Sequence, residues 1–193
     1  PVLNEFGWTK AMTSGAFSLA AIMNGLLTVA VGGLTDKFGP RMVMTVCGLF
    51  LGLGFMLMSQ ISAIFHLYLF YGILVGAGMS GSFIPLTSTV TRWFFKRRGL
   101  MTGIVAAGSG VGALIGPLVA SRLIPIYGWR MSYAILGGIT LLIVVLFAQF
   151  IRRDPTRVGQ APYGEDRIKQ GANLRTEGFS LREAAYSPRF WIF

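Results

Sequence analysis

The chain has 193 residues, 53% hydrophobic and 12% charged, with 26 glycines and a formal net charge of +10. A soluble domain carries about 25% charged residues, and no apolar run here has the polar face that a soluble helix needs, which excludes a water-soluble helical core. A nucleic-acid-binding surface is excluded as well, because the bases lie beside apolar runs and alternate in side along the chain.

Five apolar spans follow in chain order: A over 11–34, B over 41–60, C over 66–94, D over 99–124 and E over 130–151. At 1.5 Å per residue each reaches or exceeds the ~30 Å hydrocarbon core. Span C is long enough to tilt, and Pro85 offers it a kink; Pro117 does the same for D. Residues 1–10 read as a loop before A. Residues 152–187 are charged and carry Pro155, Gly159, Pro162, Gly164 and Gly171, the composition of a largely disordered linker. Within it Ser180-Leu181-Arg182-Glu183 fits a capping box, so a short amphipathic helix is expected there. Pro188 ends that helix, and residues 188–193, closing on Phe190-Trp191-Ile192-Phe193, read as the start of a further span.

The bases set the direction of crossing. Lys37 and Arg41 lie in the A–B turn, and Arg92, Lys96, Arg97 and Arg98 in the C–D turn. Eight more follow span E, against only Lys10, Arg122 and Arg130 on the other side. The positive-inside rule puts the first group in the cytoplasm. Residues 1–10 are then outside, and a carrier with a cytoplasmic N-terminus requires one more helix upstream of Pro1. The expected architecture is an all-α membrane protein: helices two to six of a six-helix half, with the linker leading to a second half.

Small residues recur at four-residue spacing: Gly48 and Gly52 in B, Gly72 and Gly76 in C, and Gly108, Gly112 and Gly116 ahead of Pro117 in D. Lipid gives helices no hydrophobic reason to associate, so close backbone approach is what packs them. The D series is the strongest of these packing expectations. Gly76-Ala77-Gly78-Met79-Ser80-Gly81 matches G-x-G-x-x-G in letters only, since no strand precedes it. Cys47 is the sole cysteine and His66 the sole histidine. Neither a metal site, a cofactor site nor a nucleophile–base set can be assembled from them, and an enzyme is not expected. His66 reads as an interfacial residue, with a pH-sensing role as the alternative.

Gly32-Gly33-Leu34-Thr35-Asp36-Lys37-Phe38-Gly39-Pro40-Arg41 joins spans A and B. As a generic turn, Asp36 accepts backbone bonds, Gly39 supplies positive φ and the bases hold lipid headgroups. As a gate, the acid at a helix C-terminus opposes the macrodipole and wants a cationic partner or a facing helix N-terminus. A contact made in one conformation alone biases alternating access. The fullness of the G-x-L-x-D-K-x-G-P-R spacing favours the gate, with Gly32, Asp36, Lys37, Gly39 and Arg41 as its residues.

That decapeptide resembles the loop 2–3 signature of the major facilitator superfamily. The segment Arg92-Trp93-Phe94-Phe95-Lys96-Arg97-Arg98-Gly99-Leu100-Met101-Thr102-Gly103-Ile104 is similar to its monocarboxylate transporter and oxalate/formate antiporter branch. So are Tyr127-Gly128-Trp129-Arg130, Glu5-Phe6-Gly7-Trp8-Thr9 and the stretch from Ser180 to Trp191. Gly112-x-x-x-Gly116-Pro117 resembles the superfamily's helix-five motif. Pro40 departs from the pattern, standing where a base is more common, and Ala120 stands where a further glycine is often seen. The resemblance implies a twelve-helix carrier working by alternating access on small organic anions, either with a proton or by exchange, in a cell membrane, expected to be the bacterial inner membrane. Carriers of drugs or sugar phosphates, and a non-transporting receptor on the same fold, are the alternatives.

Counting about ten residues back from the cytoplasmic charges reaches mid-depth at Asn24 on A, Phe83 on C and Ser109 on D. Gly76, Ser80, Phe83 and Thr87 share one face at helical spacing, and the resemblance implies that span C lines the central cavity. Phe83, Ser80 and Thr87 are therefore expected along a solute path, with Asn24 and Ser109 as nearby polar contacts. Back-bonding of the hydroxyls within their own helices is the competing use.

Overall fold

A computed structural model describes residues 2–94 and 97–151, all within one compact unit, Pro1–Tyr163. Lys96, the expected linker over 152–187 and the expected span start over 188–193 lie outside the described residues. The described part is helical throughout apart from short connections. Four stretches are long and apolar enough to cross a membrane: Lys10–Phe38, Pro40–Met58, Ile64–Trp93 and Arg98–Phe150.

The expected leading loop contains a short helix, α1 (Val2–Phe6). Thr9 caps α2 (Lys10–Phe38), its hydroxyl accepting from the Met12 N–H at 3.3 Å. Helix α2 runs four residues beyond the expected end of span A, so Asp36 and Lys37 sit in its last turn and Gly39 alone separates it from α3 (Pro40–Met58). The reversal takes one residue because Gly39 adopts φ +88°, open to a residue without Cβ, and Pro40 supplies the fixed φ suited to a first helical turn.

The third span, α4 (Ile64–Trp93), is interrupted rather than gently kinked. It winds as a π-helix over Tyr68–Val75, returns to α over Gly76–Ser80, and breaks before resuming at Ile84–Trp93. Pro85 explains the break: it has no N–H for the carbonyl four residues back, at Gly81, and its ring crowds that carbonyl. The helix restarts with the Thr87 N–H donating to the Phe83 carbonyl at 3.0 Å.

Helix α5 (Arg98–Phe150) has 53 residues, about 80 Å at 1.5 Å each and more than twice the hydrocarbon thickness. Gly128 divides it. Its φ of 73° and ψ of 164° are not helical, so the chain turns there, and limbs 98–127 and 129–150 correspond to spans D and E with no loop between them.

Glycines hold these helices at backbone distance, and α3 lies at the centre of the contacts. A Cβ at Gly78 would stand 2.5 Å from the Leu51 nitrogen and 2.6 Å from its Cα. One at Gly54 would meet Val75, and one at Gly81 would overlap Cys47. On the other face of α3, Gly52 packs on Leu141 and Gly48 on Val144, while Gly137 returns the contact against Met56. Gly72 and Gly76 of α4 face Leu19 and Ala20 of α2. The series Gly108, Gly112 and Gly116 behaves differently: among the described residues nothing lies within 4 Å of a Cβ built at any of them. Close approach is thus concentrated in α3, α4 and the second limb of α5, not in the limb where spacing made it most expected.

Gly78→Ala should separate α3 from α4 or strain both, at a cost of about 1–3 kcal/mol by analogy with overpacked cores. Thermal unfolding of the detergent-purified protein checks this. An unchanged midpoint for Gly78→Ala would contradict the backbone contact.

Candidate functional site

Charged side chains gather at the two ends of the bundle. At one end the Gly39 N–H donates to the Thr35 carbonyl at 2.9 Å, closing α2. Thr35 is buried and turns its hydroxyl to the Val31 carbonyl, 2.7 Å away. Asp36, one residue on, sits where the helix dipole disfavours a carboxylate. Its compensation comes from Arg92 in the last turn of α4, whose guanidinium donates to Oδ1 at 3.0 Å. The two side chains are 70% and 38% exposed, respectively. A pair this wet contributes about 0.2–1 kcal/mol and weakens with salt. It joins the ends of two helices, α2 and α4.

Arg41 ties the same end to α5: its Nε donates to Gln149 Oε1 at 2.9 Å, and Gln149 Nε2 donates to the Thr45 hydroxyl at 3.2 Å. Lys37 lies over the Phe38 ring, 5.4 Å from its centroid. Gly32 faces α4, since a Cβ there would come to 4.0 Å from Ile84. Arg98 donates to the Phe94 carbonyl at 3.1 Å, and Arg97 is exposed at the start of α5. The residues expected to form a gate and the first base of the C–D turn are therefore brought to one end.

At the other end, Glu5 of α1 accepts from the Trp129 indole N–H and, at 3.0 Å, from Arg130. Arg130 also donates to the Ser59 and Ile61 carbonyls, each at 3.2 Å, where α3 ends and its connection to α4 begins. Its guanidinium lies 4.5 Å from the Trp129 ring centroid and 5.8 Å from that of Phe6. Phe6 stacks on Trp8 with centroids 4.6 Å apart. The Trp129 hydrogen bond and then Arg130 hold the Glu5 carboxyl below the usual carboxylate range.

The expected path residues are not brought together as one polar surface. Ser80 is buried and donates to the Ala77 carbonyl at 2.6 Å. The Thr87 hydroxyl is within reach of the Phe83 and Ile84 carbonyls, at 3.0 and 3.1 Å. Asn24 is half-buried, its carbonyl accepting from Thr28 at 2.6 Å, and Ser109 is exposed. Phe83 is exposed at the break in α4, beside the equally exposed Ser82. Three partners had little sequence signal: Arg92 for Asp36, Gln149 for Arg41, and Glu5 for Trp129 with Arg130. Only the first was foreshadowed, by an acid misplaced on a helix dipole.

A family model described as Major Facilitator Superfamily matches residues 1–193. The chain is 29% identical over 192 residues to the oxalate:formate antiporter of Oxalobacter formigenes, covering 100% of this chain and 44% of that protein. It is 34% identical over 164 residues to monocarboxylate transporter 4 of Gallus gallus, covering 83% of this chain and 34% of that protein. To the MFS-type transporter YhjX of Escherichia coli it is 26% identical over 179 residues, 92% of this chain and 42% of that protein. The chain thus spans less than half the length of these relatives.

The lowered Glu5 pKa has a definite sign. The ionised carboxylate is favoured in the folded state, so its contribution is complete above the usual carboxylate pKa of about 4.3 and is lost as pH falls through the depressed value. The difference in thermal midpoint between the parent and Glu5→Gln should accordingly be constant near neutral pH and shrink below about pH 4. A difference that stays the same on acidification would mean that the ion pair does not stabilise the fold.

Proposed function

The chain belongs to the major facilitator superfamily, and from that premise we propose that it is part of a secondary carrier of small organic anions. The relatives named as oxalate:formate antiporter and monocarboxylate transporters support that substrate class. Coupling to a proton or exchange for a second anion supplies the driving force. The Asp36 end faces the cytoplasm in this reading, because the Lys and Arg residues are concentrated there.

The observation that carries the gate is the Asp36–Arg92 pair across the inner ends of α2 and α4. The same two helices also touch at Gly32 and Ile84 nearer this end, and at Gly72 and Gly76 further along. Opening the pair removes one tie on the final segment of α4, Ile84–Trp93, which follows the break at Pro85. A change of access can then act on this exposed ion pair and leave the contacts at Gly72 and Gly76 intact. The solute passes near that break, with Phe83 on its path; Ser80, Thr87, Asn24 and Ser109 shape the surrounding helix surfaces. Gly108, Gly112, Gly116 and Pro117 serve as a packing face for a helix outside the described residues. The anion's counter-charge also lies outside them, since no Asp, Glu, Lys or Arg stands mid-span.

Uptake of labelled oxalate, formate, lactate and pyruvate into proteoliposomes of the full-length protein tests the substrate class. Accumulation or exchange of at least one is expected. Transport of a drug or sugar phosphate instead, or binding without any flux, would replace this reading by another carrier or by a receptor. Asp36→Asn should abolish most uptake with near-normal membrane abundance, because the charge lies beyond the hydrocarbon core. Undiminished uptake at equal abundance would remove the gate.

A further inference from the structure

The helices divide their close contacts unevenly. Glycines bring α3 to backbone distance of α4 and of the second limb of α5, and α4 to that of α2, but among the described residues no glycine brings α2 against α3. A groove of about 240 Å³ is left between those two helices at the Asp36 end. Its floor is the buried set Val31, Val43 and Cys47, and its rims include the exposed Leu34 and Phe38 of α2 and Val46 of α3. Thr35 does not line it, its hydroxyl being turned to the Val31 carbonyl at 2.7 Å, so the Cys47 thiol is the one group in the lining that is not hydrocarbon. From Phe38 back to Val31 the groove follows the helix axis for about 10 Å.

A cation stands at the mouth of this groove. Lys37 is exposed, and its Nζ lies 5.4 Å from the centroid of the Phe38 ring, which forms part of the rim. The described acids are Glu5, at the other end, and Asp36, which is paired with Arg92, so Lys37 has no carboxylate partner among the described residues. Arg41, in the first turn of α3, is bonded to the neutral Gln149, and this end stays positive. We infer that the α2–α3 groove holds one acyl chain of an anionic phospholipid whose phosphate sits on Lys37. An apolar channel that opens at a cation fits a molecule with a long hydrocarbon chain and an anion at its end. Both helices are long and apolar enough to cross a membrane, which brings acyl chains to the rims. A free phosphate would use the cation and leave the groove empty, and a zwitterionic headgroup would bring a further positive charge to an end that is already basic. The inference requires neither the proposed solute nor the proposed orientation.

The test is native mass spectrometry of the full-length protein in detergent, titrated with dioleoyl phosphatidylglycerol and, separately, with dioleoyl phosphatidylcholine. The first phosphatidylglycerol should bind several-fold more tightly than the first phosphatidylcholine, and Lys37→Gln should remove that preference. Val46→Trp and, independently, Leu34→Trp fill the groove from opposite rims, and each should weaken the first phosphatidylglycerol several-fold. Both positions are exposed, so the fold should accept the larger rings. Leu114→Trp, exposed on the first limb of α5 outside the groove, should leave binding as it was. Equal affinity of the parent for the two lipids would overturn the inference, as would an undiminished preference in Lys37→Gln. Parent-like binding in both groove variants would overturn it too, because the headgroup would then be held without the chain or the groove would be filled by another segment of the protein. Equal weakening in all three tryptophan variants would have the same consequence. No flux is measured, so failure of the carrier reading leaves this result interpretable.

Discussion

The structure depends on how closely helix backbones approach one another. In lipid, apolar side chains gain little by leaving one hydrocarbon environment for another, so association rests on dispersion contacts made at short range. The contacts at Gly48, Gly52, Gly54, Gly78 and Gly137 bring α3 against α4 on one side and the second limb of α5 on the other. Each would be lost or strained by a single methyl group. Polar side chains add little along the spans, where most hydroxyls satisfy carbonyls of their own helices. They matter at the ends, where the helices leave the apolar layer and charges can be carried.

Those ends are built differently. At the Asp36 end, the exposed Asp36–Arg92 pair joins α2 to α4, and Arg41 with Gln149 joins α3 to α5. At the Glu5 end, one guanidinium engages a carboxylate, two carbonyls and two rings, with three segments of chain converging on it. The first arrangement can separate at small cost in water. The second gathers several contacts on one guanidinium.

Much of this was legible in the residues. Long apolar runs without a polar face called for membrane-spanning helices, and the described residues are helical with four such stretches, one of them turned at Gly128. The resemblance to the superfamily was carried by the segment around Asp36, and the family model matches residues 1–193. Pairings were less legible. Glu5 and Arg130 are 125 residues apart, and nothing in either motif specifies the other. The interruption of α4 was foreseen only as a kink, because a proline announces a lost hydrogen bond but not whether the helix bends or stops. The π-helical stretch ahead of it has no local sequence signature, and the break over 81–83 spoils the regular spacing that put Ser80, Phe83 and Thr87 on one face.

Gly39 leaves almost no slack between α2 and α3. A longer connector would absorb a tilt of one helix as slow drift of the loop. Here a rotation of α2 has to be transmitted to α3 as a torque about a single pair of dihedral angles, and onward to the second limb of α5 through their shared glycine seam. Adding one residue at this joint would therefore uncouple the two rods mechanically while leaving their sequences, their burial and their charges as they were.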